Sequence, residues 1–222
     1  MRPRSVFVAV TAWAAVAVMP INMVVAQMSK EWSQCSGAEG AIADVVISGC
    51  STVIQAGQDS PKRLATAFNN RGFIYKFKGE YDRALEDYNQ AILLNPSYAN
   101  AYNNRGVIYR IRGEYERAIE DYNEAIWLDS NIPAFFYNRA IAYTEKQDFD
   151  RAIADFEAVL RFNDKNALAL YGRGVARLKK GDSKTGRVQA RYQTEIDGLA
   201  VAAGKVGIRP DAHTKLSRAG EQ

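Results

Sequence analysis

With 222 residues, 47% of them hydrophobic and 11% aromatic, the chain can bury one continuous core. Six prolines and the lack of a glycine/serine linker between residues 61 and 181 exclude a low-complexity region or a change of composition regime there. The formal charge of +4 is unevenly spread: residues 27–170 are net acidic and residues 171–222 net basic.

The first segment reads as an export signal. Arg2 and Arg4 precede an apolar stretch from Val6 to Met19, Pro20 interrupts it, and Val24-Val25-Ala26 supplies small residues before Gln27. This predicts a signal peptide over residues 1–26, cleaved after Ala26. The alternative is an uncleaved anchor, since about 20 apolar residues can span a bilayer. Export makes the protein periplasmic or secreted, with no transmembrane segment after cleavage; the anchored alternative places it on the inner membrane.

Residues 27–60 read as a degenerate helical cap. They carry the chain's two cysteines, Cys35 and Cys50. Ile47 to Ile54 runs parallel to Ile119 to Ile126, which puts Cys50 where Tyr122 and Phe156 stand further on, facing a partner helix over Ser29 to Ser36. In an oxidising compartment the expectation is a Cys35–Cys50 disulfide, worth about 3 kcal/mol in the chain-entropy model. The alternative is two buried free thiols. Ser60 and Pro61 then open a helix to Phe77 as N-cap and first helical residue, after a connection about four residues longer than the later ones.

From there one 34-residue ruler organises the chain. Gly79, Gly113 and Gly181 stand on it with Gln147 on the third mark, as do Arg71, Arg105, Arg139 and Arg173, then Tyr75, Tyr109 and Tyr143, then Ala84, Ala118 and Ala152. Such repetition marks a stack of small units that cannot bury their apolar faces alone. In the second copy Tyr102, Val107, Ile108 and Ile111 recur at helical steps before Gly113, and Tyr115, Ala118, Ile119, Tyr122, Ala125, Ile126 and Leu128 follow likewise until Asp129-Ser130-Asn131 breaks the pattern. Gly113 suits a left-handed helix end, and Glu114 and Glu116 place negative charge at the next N-terminus. Each unit is therefore an antiparallel helix pair, and no strands are expected.

This pattern resembles the tetratricopeptide repeat family: an aromatic, then Gly72, Tyr75, Ala84, Tyr88, Ala91 and Pro96, with matching sites downstream. The resemblance covers repeats 65–98, 99–132 and 133–166 and a degraded fourth over 167–200. It implies an all-α solenoid of helix pairs over 61–200, winding as a right-handed superhelix. Departures are Ala140 for the glycine, Val159 for the small alanine, Arg177 for the tyrosine and Gly186 for the second-helix alanine. Val188, Tyr192, Ile196 and Leu199 suggest a last amphipathic helix, and residues 201–222 a weakly ordered basic tail.

The resemblance implies a binding module in which the first helix of each pair lines the concave face. Groove candidates are Asn69, Asn70, Phe73 and Lys76 in the first copy, and Asn103, Asn104, Val107 and Arg110 in the second. The third and fourth copies add Tyr137, Asn138, Ile141 and Tyr171. Phe73, Val107, Ile141 and Val175 form an apolar floor, and Asn70, Asn104 and Asn138 a ladder able to hold the main chain of a peptide. The alternative is that the asparagines satisfy neighbouring helices. Lys76 and Arg110 add affinity for acidic groups. Some relatives clamp a chaperone's C-terminal carboxylate; Asn104 matches that clamp, but Asn69, Phe73, Ala134 and Asn138 stand where its other partners are needed, so this binding is not expected.

Arg71, Arg105 and Arg139 each have an aspartate 16 residues on, at Asp87, Asp121 and Asp155, which reads as a repeated scaffold pair; Arg173 faces Gln189 instead and points to a ligand or to solvent. An enzyme is not expected. The sole histidine, His213, lies in the tail, and no zinc-ligand cluster, phosphate loop or serine nucleophile motif is present, so no cofactor and no metal are expected. Acidic repeats in an exported protein argue against nucleic acid. The expected function is a non-enzymatic adaptor or scaffold in the cell envelope, binding a protein or peptide partner through the concave face. The alternative is an assembly protein that self-associates weakly through its solenoid ends.

Overall fold

The computed structural model describes residues 29–37 and 42–181. Among these there are helices and connections and no strand. Residues 29–35 are helical (α1). They are followed by α2 (Ala43–Ala56), α3 (Pro61–Phe77), α4 (Tyr81–Leu94), α5 (Ala99–Ile111), α6 (Tyr115–Leu128), α7 (Pro133–Glu145), α8 (Phe149–Phe162) and α9 (Ala167–Lys179). The expected signal, the second helix of the fourth copy, the partner Gln189 and the basic tail lie outside the described residues.

Local chemistry sets the element ends. Ser60 accepts from the Arg63 backbone N–H and Pro61 starts α3. Between first and second helices the chain turns through a left-handed residue, Gly79 at φ 78° and Gly113 at 76°, with Gln147 holding the same turn at 66° despite its Cβ; Gly181, just after α9, is left-handed at 91°. Between units, Asn95, Asp129 and Asn163 each accept from the backbone N–H two residues on, an Asx turn that ends one pair and launches the next.

The expected longer connection before α3 is absent. Its four residues match those between later units, and the extra turn belongs to α3, which has 17 residues against 13 in α5, α7 and α9. The insertion stays helical because Ser60 and Pro61 fix the helix start one turn early.

Within each unit the small residues are where the helices meet. Ala84, Ala118 and Ala152 are fully buried, as are Tyr88, Tyr122 and Phe156. A Cβ on Gly72 or Gly106 would lie 2.9 Å from the ring of Tyr88 or Tyr122, so these positions admit no side chain without a shift. Tyr88 and Tyr122 bury hydroxyls that find no hydrogen-bond partner among the described residues; Phe156, at the same mark, buries a ring without that penalty.

Each helix packs on its neighbours in sequence, and α3, α5, α7 and α9 also approach one another. The second helices α4, α6 and α8 do not. The stack therefore curls with the first helices on its inner side. At the N-terminal end, Cys35 and Cys50 are fully buried and disulfide-bonded, and Val46, Val53 and Ala67 complete a small core with them. Trp32 ties α1 to the connection before α3 through its indole N–H, which donates to Asp59 at 2.7 Å, and to α3 itself through the Arg63 guanidinium over its ring.

Candidate functional site

Three arginines of the ruler, Arg71, Arg105 and Arg139, are engaged in the scaffold. Arg71, Arg105 and Arg139 each donate two hydrogen bonds of 2.7–2.9 Å to Asp87, Asp121 and Asp155 across the helix pair. A third donor reaches back to the preceding unit, to Ser51, Asn89 and Asn123 respectively. Each guanidinium thus ties its own second helix to the one before it. Burial pushes up the carboxyls of Asp87 and Asp121, and the paired guanidiniums act against it. Arg173 keeps the backward half of the arrangement: Glu157 stands where Asn89 and Asn123 stand earlier, 3.9 Å from Arg173 and 2.8 Å from Arg177. The position expected opposite Arg173 within its own unit, Gln189, lies outside the described residues.

The asparagines join first helix to first helix. Asn104 donates to Asn69 at 3.0 Å, Asn138 donates to Asn103 at 2.8 Å, and Asn70 donates to the backbone carbonyl of Cys35 at 3.2 Å. The expected ladder is present as a row, with its amide N–H groups spent on the neighbouring unit. The Oδ1 atoms of Asn104 and Asn138 remain without a bond among the described residues. The pairing follows from the doublets Asn69-Asn70 and Asn103-Asn104: with two asparagines per first helix, one can face forward and one back.

The remaining candidates vary in exposure. Phe73 is 45% exposed on α3, while Val107 and Ile141 are half-buried against the core. Tyr137 packs edge-on against Phe156 at 5.9 Å, and Tyr171 is half-buried on α9. Lys76 lies over the Phe73 ring, its Nζ 4.4 Å from the centroid, and burial pushes its pKa down. Arg110 forms a half-buried ion pair with Glu145 at 2.7 Å.

Two hollows open among these residues. One, of about 430 Å³, lies between the cap and α3 and α5, and Asn69, Asn70, Phe73, Asn100 and Asn104 contribute to its wall. The other, of about 360 Å³, is lined by Arg110, Tyr137, Asn138, Ile141, Thr144 and Glu145. The first has an apolar wall broken by amides, the second one broken by a single amide, a hydroxyl and the Arg110–Glu145 pair. Sequence reasoning missed Asn100 and Glu145; the distance of 35 residues from Arg110 to Glu145, the same as in the asparagine bonds, is the signal that finds the latter. Among the described residues no group of histidine, cysteine or acidic side chains is arranged to hold a metal, and no helix is long and apolar enough to cross a membrane.

Sequence models described as tetratricopeptide repeat match residues 65–98, 99–132 and 137–190. Among solved structures, the chain is similar to a tetratricopeptide repeat protein from Parabacteroides merdae, at 19% identity over 84% of this chain and 75% of that one, with a TM-score of 0.65. It is similar to the MamA protein at 19% identity over 81% of this chain and 94% of that one, with a TM-score of 0.62. A third structure, the first TPR of Spaghetti (RPAP3) bound to the HSP90 peptide SRMEEVD, is 24% identical over 55% of this chain and 96% of that one, with a TM-score of 0.53.

Proposed function

Because this chain belongs to the tetratricopeptide repeat family, we propose that it is a non-enzymatic adaptor of the cell envelope that holds a segment of a partner protein along the face of its first helices. A role in protein–protein interaction is the ground common to the family and to structural neighbours such as the peptide-bound repeat of RPAP3. The observation that carries the finer reading is the composition of the inner face. Phe73 and Ile111 stand 45% and 43% exposed there, beside two hollows walled by apolar and amide groups. Exposed apolar side chains on the inside of a curl give a partner segment area to bury, and the Oδ1 atoms of Asn104 and Asn138, unbonded among the described residues, accept from its main chain. The disulfide in the cap and the signal-like first 26 residues support an exported location.

The test is cross-linking of the mature protein in cell-envelope extract beside a Phe73→Ala/Ile111→Ala variant. Neither side chain belongs to the buried core, so the fold is expected to survive their truncation. Loss of partner bands from the variant is the expected result. An unchanged set of bands overturns concave-face binding.

A further inference from the structure

The first helices are joined at a constant offset. Asn70 to Cys35, Asn104 to Asn69, Asn138 to Asn103 and Arg110 to Glu145 all link residues 35 apart. One repeat length plus one residue brings two side chains of adjacent first helices face to face. Lys76 and Arg110 hold the same place in consecutive copies, one ruler length apart. Counted forward by the offset, Arg110 meets Glu145, whereas Lys76 meets Ile111, an apolar residue 43% exposed.

Lys76 is accordingly a half-buried cation whose carboxylate is missing. It makes no ion pair among the described residues, and its ammonium lies against the face of Phe73. Neither α3 nor α5 contains any acidic residue, so this stretch of the face offers no carboxylate to supply one. Lys78 close by is already engaged by Asp44 at 2.9 Å.

We infer that Lys76 is a docking point for an acidic side chain of the partner segment, which takes there the place that Glu145 takes on Arg110 one unit further along. Phe73 and Ile111 are its apolar flanks, so the fitting segment carries an aspartate or glutamate next to an apolar residue. The inference rests on the reading that the first-helix face binds a partner segment. Its physical basis is that a partly desolvated ammonium gains a charge-assisted bond from an incoming carboxylate and gains nothing comparable from an amide.

Short random peptides selected on the purified protein provide the probe. A selected acidic peptide and its counterpart with asparagine or glutamine at each acidic position are then compared on four proteins: wild type, Lys76→Arg, Lys76→Gln and Ile111→Glu. The wild type is expected to prefer the acidic peptide about tenfold, equivalent to about 1.4 kcal/mol, with the preference falling as salt rises. Lys76→Arg keeps it and Lys76→Gln abolishes it. Ile111→Glu also abolishes it, by supplying from within the chain the carboxylate that Glu145 supplies to Arg110, and it melts no lower than wild type. Equal affinity for the two peptides, or a preference that survives Lys76→Gln, overturns the Lys76 site. If binding then still depends on Phe73, tested by Phe73→Ala, the wider reading of the face stands; if no selected peptide depends on Phe73, both fall.

Discussion

Two glycines of α9, two positions apart, make a controlled test of how tightly the units interlock. A Cβ built on Gly172 lies 2.3 Å from Cζ of Phe156 and 2.5 Å from its Cε1, whereas a Cβ on Gly174 meets nothing within 4 Å among the described residues. The Phe156 ring is fully buried and set edge-on against Tyr137, so it has no empty space to enter. To restore contact it must retreat by roughly 1 Å, an overpacking that costs typically about 1–3 kcal/mol. Replacing a helical glycine by alanine gains about 1 kcal/mol in propensity at either site. Gly174→Ala lacks the clash with Phe156 and is expected to cost less than Gly172→Ala. Gly172→Ala is destabilising by about 1–2 kcal/mol, taking the upper part of the overpacking range because the ring is pinned. Denaturant melts followed by far-UV circular dichroism measure the difference, and hydrogen exchange across α9 reports it locally if the end of the stack opens on its own. Gly172→Ala equalling Gly174→Ala in stability would refute the claim that the ring of one unit is locked against the backbone of the next.

Asn104→Ala is expected to cost about 1–3 kcal/mol, because it strands the Oδ1 of Asn69, which is only 7% exposed. Asn138→Ala is expected to cost about 0.5–1 kcal/mol, since the half-exposed Asn103 can turn to water; thermal melts of the two variants give the order, and the reverse order refutes it. Asp148 caps α8 by accepting from the Arg151 backbone N–H, and the Arg151 side-chain bond holds its carboxyl below the usual range. A depressed carboxyl stabilises the fold above its unfolded pKa and loses that contribution as pH falls through the native value. Asp148→Ala should therefore lower stability by about 1 kcal/mol near neutrality, with the gap to wild type closing in acid; a gap independent of pH refutes the assignment.

The fold was legible in the sequence to the level of single turns because its determinants are local and repeated. Gly79, Gly113, Gln147 and Gly181 all sit at left-handed turns, and each Arg71-type residue meets its aspartate 16 residues on. Both follow from geometry inside one unit. What links one unit to the next was harder to read. The ladder of Asn70, Asn104 and Asn138 looked equally suited to a ligand and to the scaffold, because an amide's type does not disclose which neighbour uses its N–H. The offset of 35 that pairs Asn104 with Asn69 and Arg110 with Glu145 depends on how parallel helices stagger in space, and the one-dimensional period of 34 hides it by a single residue. The additional turn in α3 was anticipated as a long helix but also assigned to the connection, since a four-residue insertion has no mark distinguishing one from the other.

The cap's covalent closure gives the stack a direction in time as well as in space. Every joint from α3 to α9 is held by side-chain bonds and packing that can open and reclose, whereas α1 and α2 cannot separate at Cys35–Cys50 while the disulfide lasts. At this end α1 and α2 part from α3 as one linked pair. Fraying that would otherwise take one helix at a time must there carry both, and the resistance lies in the noncovalent joint between the cap and α3.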